Sequence, residues 1–234
     1  MFERAHHRRV DSVLASLDAQ RIVSNGCLFG VGTAMALRFG EYRETVDIAF
    51  LVSHRDGYRQ LRALLSGPDG INALTRAGAA LNQVREVRAD QYGIRTMIRV
   101  DGIDIKFEVV LEARIELQAP SANDGLCGVA TLTLLDMATS KLLANSDRWR
   151  DDAVLSRDVV DLAMMTPSKP MLRAAIAKAR GAYGDSIERD LLKAIAGLRE
   201  RPLRLGHCMQ AMGMTTVPKA VLWSRIKRLG AALG

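Results

Sequence analysis

Four short stretches of this sequence carry residue types that do chemistry in combination. In "GVGTAMALRF", Gly30, Gly32 and Thr33 lead directly into an apolar helical run. Backbone N–H groups and the positive end of a helix then face whatever sits in the turn, which is an anion site in principle. The pattern is neither GxxxxGK[ST] nor GxGxxG, and a glycine turn between two packed elements reads the same way. Further along, Asp47 lies in "VDIAFLV", a short run rich in branched apolar residues and bounded by charge, which is a buried strand by length and composition. An ionised carboxylate is costly there unless it is paired or bound to a metal.

Glu108 stands in "IDIKFEVVLE", where Ile103, Ile105, Phe107 and Val109 point one way and Asp104, Lys106 and Glu108 the other. Acids on neighbouring strands can share a divalent metal, and a pair of metals about 3.5 to 4 Å apart clamps the attacking and leaving oxygens of phosphoryl transfer. Ala49 shares a strand face with Asp47, at the position where a second carboxylate of such a site would stand. Asp104 and Glu44 are the candidate substitutes for it. The fourth stretch, "SKLLANSDRWRDDAVLSRDVVDLAMM", sets Lys141, Ala144 and Arg148 on one side of a helix and Asp158 and Asp161 three apart on the next. Salt bridging on a solvated face is the plain alternative for this stretch.

The elements that must position these residues are legible in outline. Val10, Val13, Leu14 and Leu17 predict an opening amphipathic helix over about 8–20, ahead of the glycine turn. A helical segment near 58–65 and a helical or irregular stretch to about 87 follow the Asp47 strand. "YGIRTMIRV" and "IDIKFEVVLE" then read as strands joined at Asp101-Gly102, a strong hairpin signal. Proline, serine, asparagine and glycine cluster in "QAPSANDGLCG", beyond which the periodicity is helical, at about 132–145, 151–165, 170–183, 186–200 and 217–229. The expected domains are 1–120, α/β, and 121–234, helical with a basic tail. Thr166 or Ser168 is a candidate cap for the helix after Pro167.

Composition bounds the rest. The 234 residues, 48% hydrophobic and 25% charged, are ordinary for a folded globular chain. No apolar run approaches the eighteen or so residues of a membrane span, and "MFERAHHRRVDS" lacks the apolar core of a signal peptide, so the expectation is a cytoplasmic protein with no membrane partner. Cys27, Cys127 and Cys208 are odd in number and far apart, which suits buried free thiols rather than disulfides or zinc. His6 and His7 are expected at a solvated end. Between Ala196 and Gly234, seven basic residues face the single acid Glu200, so about +6 of the net +7 lies in this tail and favours a polyanion as partner. The basic residues of "TTVPKAVLWSRIKRLG" also admit a helical DNA-binding reading.

The ordered set of motifs resembles the AbiEii/AbiGii-type nucleotidyltransferase toxins, within the polymerase-β-like nucleotidyltransferase superfamily. The resemblance runs from about Leu28 to Met165. It rests on the glycine-threonine turn with "ALRFG", on Arg43, Thr45 and Asp47 for R-x-S-x-D-[IL]-D-F, and on an acid on a later strand. The best match is K-x-x-A-x-x-x-R followed by R-D-x-x-D-L, met by Lys141, Ala144, Arg148, Arg157, Asp158, Asp161 and Leu162. Ala49 departs from the second metal aspartate, and Val31 interrupts the usual adjacent glycines.

The resemblance implies an α+β fold, a mixed β-sheet flanked by helices and followed by an all-helical C-terminal half. It implies a nucleoside triphosphate (NTP) cradled by Gly30, Gly32 and Thr33, with Arg43 and Lys141 among the nucleotide-binding residues. Asp47 and Glu108 would hold Mg²⁺, and Asp47, Glu108, Lys141 and Asp158 form the expected catalytic set. Such proteins transfer a nucleotidyl group, in some members onto tRNA, and are commonly encoded beside a cognate antitoxin. A metal site short of one carboxylate implies weakened catalysis, or a catalytically degenerate fold that binds nucleotide or RNA.

Overall fold

The computed structural model describes residues 2–233. The chain divides into two compact units, one of residues 1–34 and 45–133, the other of residues 35–44 and 134–234.

The first unit opens with α1 (Ala5–Ala15), which buries Val10, Val13 and Leu14, and α2 (Ala19–Ser24). The single helix expected over 8–20 is therefore two. Leu17 forms a bridge with Thr75, the Asp18 N–H donates to the Leu74 carbonyl, and the Asp18 carboxylate then caps α2 through the Arg21 N–H. His7 is buried on α1 rather than solvated.

After β1 (Cys27–Phe29), α3 (Val31–Arg38) contributes its first turn to this unit, and β2 (Asp47–Val52) and α4 (Arg55–Leu65) follow. A 3₁₀ turn at Gly70–Leu74 and the short strands β3 (Asn82–Gln83) and β4 (Arg88–Ala89) precede the long hairpin of β5 (Gly93–Val100) and β6 (Ile103–Leu111). Asp101 and Gly102 both take positive φ, as the two-residue turn requires. The strand order is β1-β2-β6-β5-β3, with β4 also paired to β5, and β2 runs parallel to β6 in a mixed sheet. A small hairpin, β7 (Gly125–Leu126) and β8 (Val129–Ala130), closes the unit.

One sheet face is core. Phe29, Phe50 and Phe107 stack with ring centroids 5.5 Å apart at each step, and Ile48, Ile105 and Val109 are fully buried beside them. The opposite face carries Asp47, Ala49, Lys106, Glu108 and Arg95.

The second unit is helical. The central α5 (Leu134–Arg148) packs against α6 (Arg157–Met165), α7 (Lys169–Tyr183) and α8 (Ser186–Glu200). The helices α9 (Arg204–Ala211) and α10 (Lys219–Ala231) complete the unit. Asp136 is fully buried on α5 and is matched by Lys178 of α7. The helix expected over 151–165 is broken, because Leu155 and Ser156 both take left-handed φ, 56° and 52°, before α6 begins. Ser168 caps α7 by accepting the Met171 N–H, with Pro170 in the first turn. The three cysteines are free thiols, Cys27 and Cys208 buried and Cys127 half-buried.

Gly57, on α4, packs directly on the chain leaving α2. A Cβ there would lie 2.1 Å from the Asn25 carbonyl oxygen, a backbone atom that cannot rotate away. Gly57→Ala is expected to destabilise the protein by about 1–3 kcal/mol through overpacking, read as a lower urea midpoint at unchanged m-value.

Candidate functional site

The glycine turn and Asp47 are held together by three contacts. The Gly30 N–H donates to the Ala49 carbonyl at 3.0 Å, and the Thr33 hydroxyl is shared between the Asp47 carbonyl at 2.6 Å and Asp47 Oδ1 at 3.1 Å. Gly30 is needed for close approach, since a Cβ there would meet the Leu132 side chain at 2.6 Å. Val31, standing where the family pattern has glycine, takes the conformation that glycine favours, φ 63°. That costs a β-branched residue about 1–3 kcal/mol and fixes the entry into α3. The first four N–H groups of a helix lack intrahelical acceptors, so this turn presents donors beside a half-buried carboxylate.

The parallel register sets Asp47 opposite Lys106 and Ala49 opposite Glu108. On the other side of β6, Arg95 stands opposite Glu108. The Glu108 carboxylate accepts from Arg95 Nε at 2.7 Å and also pairs with Lys106. Sequence reasoning named Glu108 but not these two cations. Lys106 shares the face by alternation, and counting back from the Asp101-Gly102 turn places Arg95.

Of the proposed substitutes for the missing carboxylate, Asp104 is spent on Arg99, at 2.6 and 3.0 Å, and Glu44 groups with the second unit. No cluster of three or more His, Cys, Asp or Glu able to hold a metal occurs among the described residues. The donor set therefore does not fit a two-metal clamp. Asp47 and Glu108 stand on neighbouring strands two register positions apart, and one or two carboxylates, with water and substrate phosphates, are the usual donors to a single Mg²⁺. Thr45, two residues before Asp47, keeps a buried hydroxyl without a hydrogen-bond partner.

In the second unit the structure gathers Arg43, Lys141 and Asp158 with Tyr42, Arg148 and Asp161. Asp161 is fully buried and accepts from the Tyr42 hydroxyl at 2.7 Å and from Arg43 Nε and a second guanidinium nitrogen at 2.7 and 3.0 Å. Lys141, 2% exposed, lies 2.6 Å from Asp161 and 3.1 Å from Asp158, and Arg148 makes a bidentate pair with Asp158. Burial opposes ionisation of both aspartates, yet Arg43 and Lys141 around Asp161, and Lys141 and Arg148 around Asp158, hold both carboxyls below the usual range. Burial and Asp161 together push the Tyr42 hydroxyl up. Arg43, Lys141 and Arg148 against Asp158 and Asp161 leave one positive charge in excess, and Arg148 is the member at the surface.

The basic tail is partly neutralised, because Arg201 and Arg204 both pair with Asp152. Ile226 is core, as its helical spacing implies. No helix among the described residues is long and apolar enough to cross a membrane.

Two solved structures resemble this chain along its whole length. One is an H. pylori protein described as a candidate nucleotidyltransferase, with a TM-score of 0.52 at 12% identity, covering 100% of this chain and 97% of that one. The other is JHP933 from Helicobacter pylori, with a TM-score of 0.51 at 12% identity, covering 100% and 94%. At that identity the likeness establishes the fold, and the class is an α+β protein of nucleotidyltransferase type. No curated protein matches the sequence. Residues 13–220 match the family described as Nucleotidyl transferase AbiEii toxin, Type IV TA system, and the chain belongs to that family.

The Asp161 cluster generates a stability prediction. Asp161→Ala strands Arg43 in the interior, leaves Lys141 with Asp158 alone, and is expected to cost about 3–5 kcal/mol. Because both carboxyls are depressed in the folded state, the unfolded chain binds more protons near its own value of about 4. The stabilisation is then complete above that pH and is lost as the pH falls below it. Urea titrations at pH 7 and at about pH 3 check this: the gap between wild type and Asp161→Ala should shrink in acid.

Proposed function

We propose that this protein is the nucleotidyltransferase toxin of a toxin–antitoxin pair, working with a reduced metal site. The observation that carries the reading is the Thr33–Asp47 contact, which ties a donor-rich helix N-terminus to a half-buried carboxylate beside Glu108. Gly30, Gly32 and Thr33 would receive the triphosphate of an NTP, and the positively charged Lys106 would balance its charge. Mg²⁺ held by Asp47 and Glu108 would supply further neutralisation of the phosphates. An acceptor hydroxyl, of RNA and tRNA in particular, attacks the α-phosphorus, and pyrophosphate leaves. Arg43 and Lys141 are proposed as nucleotide-binding residues, and Lys141 and Asp158 as members of the catalytic set, with Arg148 at the surface of the cluster they form. An antitoxin protein is the expected partner.

A second reading, nucleotide or RNA binding without transfer, is favoured by one observation: the Glu108 carboxylate is already engaged by Arg95 and Lys106. Incubation with labelled NTPs, Mg²⁺ and total tRNA separates the two. Transfer predicts slow incorporation by the wild type, none by Asp47→Ala, and a gain of about tenfold or more, roughly 1.4 kcal/mol of barrier, for Ala49→Asp. No incorporation by any of the three, with nucleotide binding unchanged by EDTA, would sink the enzymatic reading in favour of the second.

A further inference from the structure

A groove of about 350 Å³ lies in the first unit, lined by Arg55, Tyr58, Arg59, Arg62, Tyr92 and Leu111 among others. Neither the triphosphate turn nor the charge cluster of the second unit uses it. Arg55, Arg59 and Arg62 fall at i, i+4 and i+7 on α4, so they share one helix face. All three are exposed, and the only acid paired with any of them is Asp56, with Arg59, among the described residues. Along the helix they span roughly 10 Å, so their guanidiniums can follow consecutive phosphates of an extended strand.

Tyr92 supplies the second kind of contact. The residue is 66% exposed beside the arginines, although its backbone is pinned at both ends. The Tyr92 N–H donates to Asp90 Oδ1 at 2.7 Å, and its carbonyl accepts the Leu111 N–H at 2.9 Å. Asp90 is fixed in turn, its carbonyl accepting the Tyr58 hydroxyl at 2.6 Å and its carboxylate meeting Arg95 at 3.2 Å. An aromatic ring on a rigid backbone, exposed next to three solvent-facing guanidiniums of which only Arg59 has an acidic partner among the described residues, combines a stacking platform with a phosphate track. Single-stranded nucleic acid is bound by that combination.

We propose that this groove docks a single-stranded segment of RNA, with a base stacked on Tyr92 and the flanking phosphates on Arg55, Arg59 and Arg62. The choice of RNA over DNA rests on the acceptor in the transferase reading, while the charge and stacking argument stands without it. β2 and β6 run parallel, with Asp47 and Lys106 at one end and Val52 and Leu111 at the other. The turn abuts Ala49 through Gly30 and Asp47 through Thr33, so three to five residue steps of about 3.3 Å, roughly 10 to 17 Å, separate it from the groove along the strands. A strand seated in the groove is held well away from the bound nucleotide and must extend along the unit to bring a terminus to it.

The test is fluorescence anisotropy with a labelled single-stranded RNA of about 12 nucleotides, without NTP or metal, across a salt series. The variants are Tyr92→Ala, Tyr92→Phe, the triple Arg55→Ala/Arg59→Ala/Arg62→Ala, and Lys227→Ala/Arg228→Ala on α10 as a control, each checked for an unchanged melt. The triple variant should weaken binding at least tenfold and flatten the log–log salt slope by about 2, at roughly 0.7 per phosphate contact. Tyr92→Ala should weaken binding about fivefold or more at unchanged slope, Tyr92→Phe should bind as the wild type does, and the control should lose less than the triple.

Wild-type affinity or slope in the triple variant overturns the proposal. So does tighter binding of the matching single-stranded DNA or of duplex RNA, or displacement of the RNA by an acidic peptide at equal charge concentration, which would mark a protein-docking face. Because no turnover is measured, failure of the transferase assay leaves these outcomes untouched, and Ala49→Asp should not alter them.

Discussion

The parallel pairing of β2 with β6 is the constraint on which the chemistry of the first unit depends. Because the two strands run the same way and in register, Asp47 faces Lys106 and Ala49 faces Glu108, all on one side of the sheet. The other side is committed to the Phe29, Phe50 and Phe107 stack, so a one-residue slip would drive charges into that core. The hydrophobic face thus fixes the register, and the register fixes which charges meet. With alanine at 49, Arg95 and Lys106 converge on Glu108, Arg95 also reaching Asp90, and this face carries one carboxylate fewer than the family pattern implies.

The two units treat charge differently. In the second, Asp161 and Asp158 are buried and matched by Arg43, Lys141 and Arg148 at hydrogen-bonding distance. Such a cluster is high in stakes, since removing one partner exposes the others to an uncompensated interior. It ties the 35–44 segment, through Tyr42 and Arg43, to α6. In the first unit, Lys106, Arg95 and the α4 arginines stand at least partly in solvent, where a ligand can still compete for them.

Much of the architecture was legible because it is local. The Asp101-Gly102 turn, the alternation of β6, the Ser168 cap and the α8 boundaries all follow from residues within a few positions of one another. Other features escaped for physical reasons. β1 has three residues, too few for alternation to register, and α9 has only eight, with a glycine among them. The breaks before α2 and α6 have no glycine or proline to announce them. Asp18 caps one, and Leu155 and Ser156, neither of a type that signals it, adopt left-handed φ at the other.

By itself the sequence determined which family the chain belongs to and that alanine stands at 49, because motifs are patterns of residue type and spacing. The hairpin turn at Asp101-Gly102 was legible as well, although the Arg95–Glu108 pairing that its count implies was not drawn from it. What only the tertiary structure decided is how each charge is spent. Lys141 and Asp158 neutralise one another in an interior, Glu108 is engaged by two cations, and Arg55, Arg59 and Arg62 share an exposed face with Tyr92. Those outcomes depend on burial and on contacts between residues tens of positions apart, and the energy of an ionic group is set by what surrounds it, which no local pattern records.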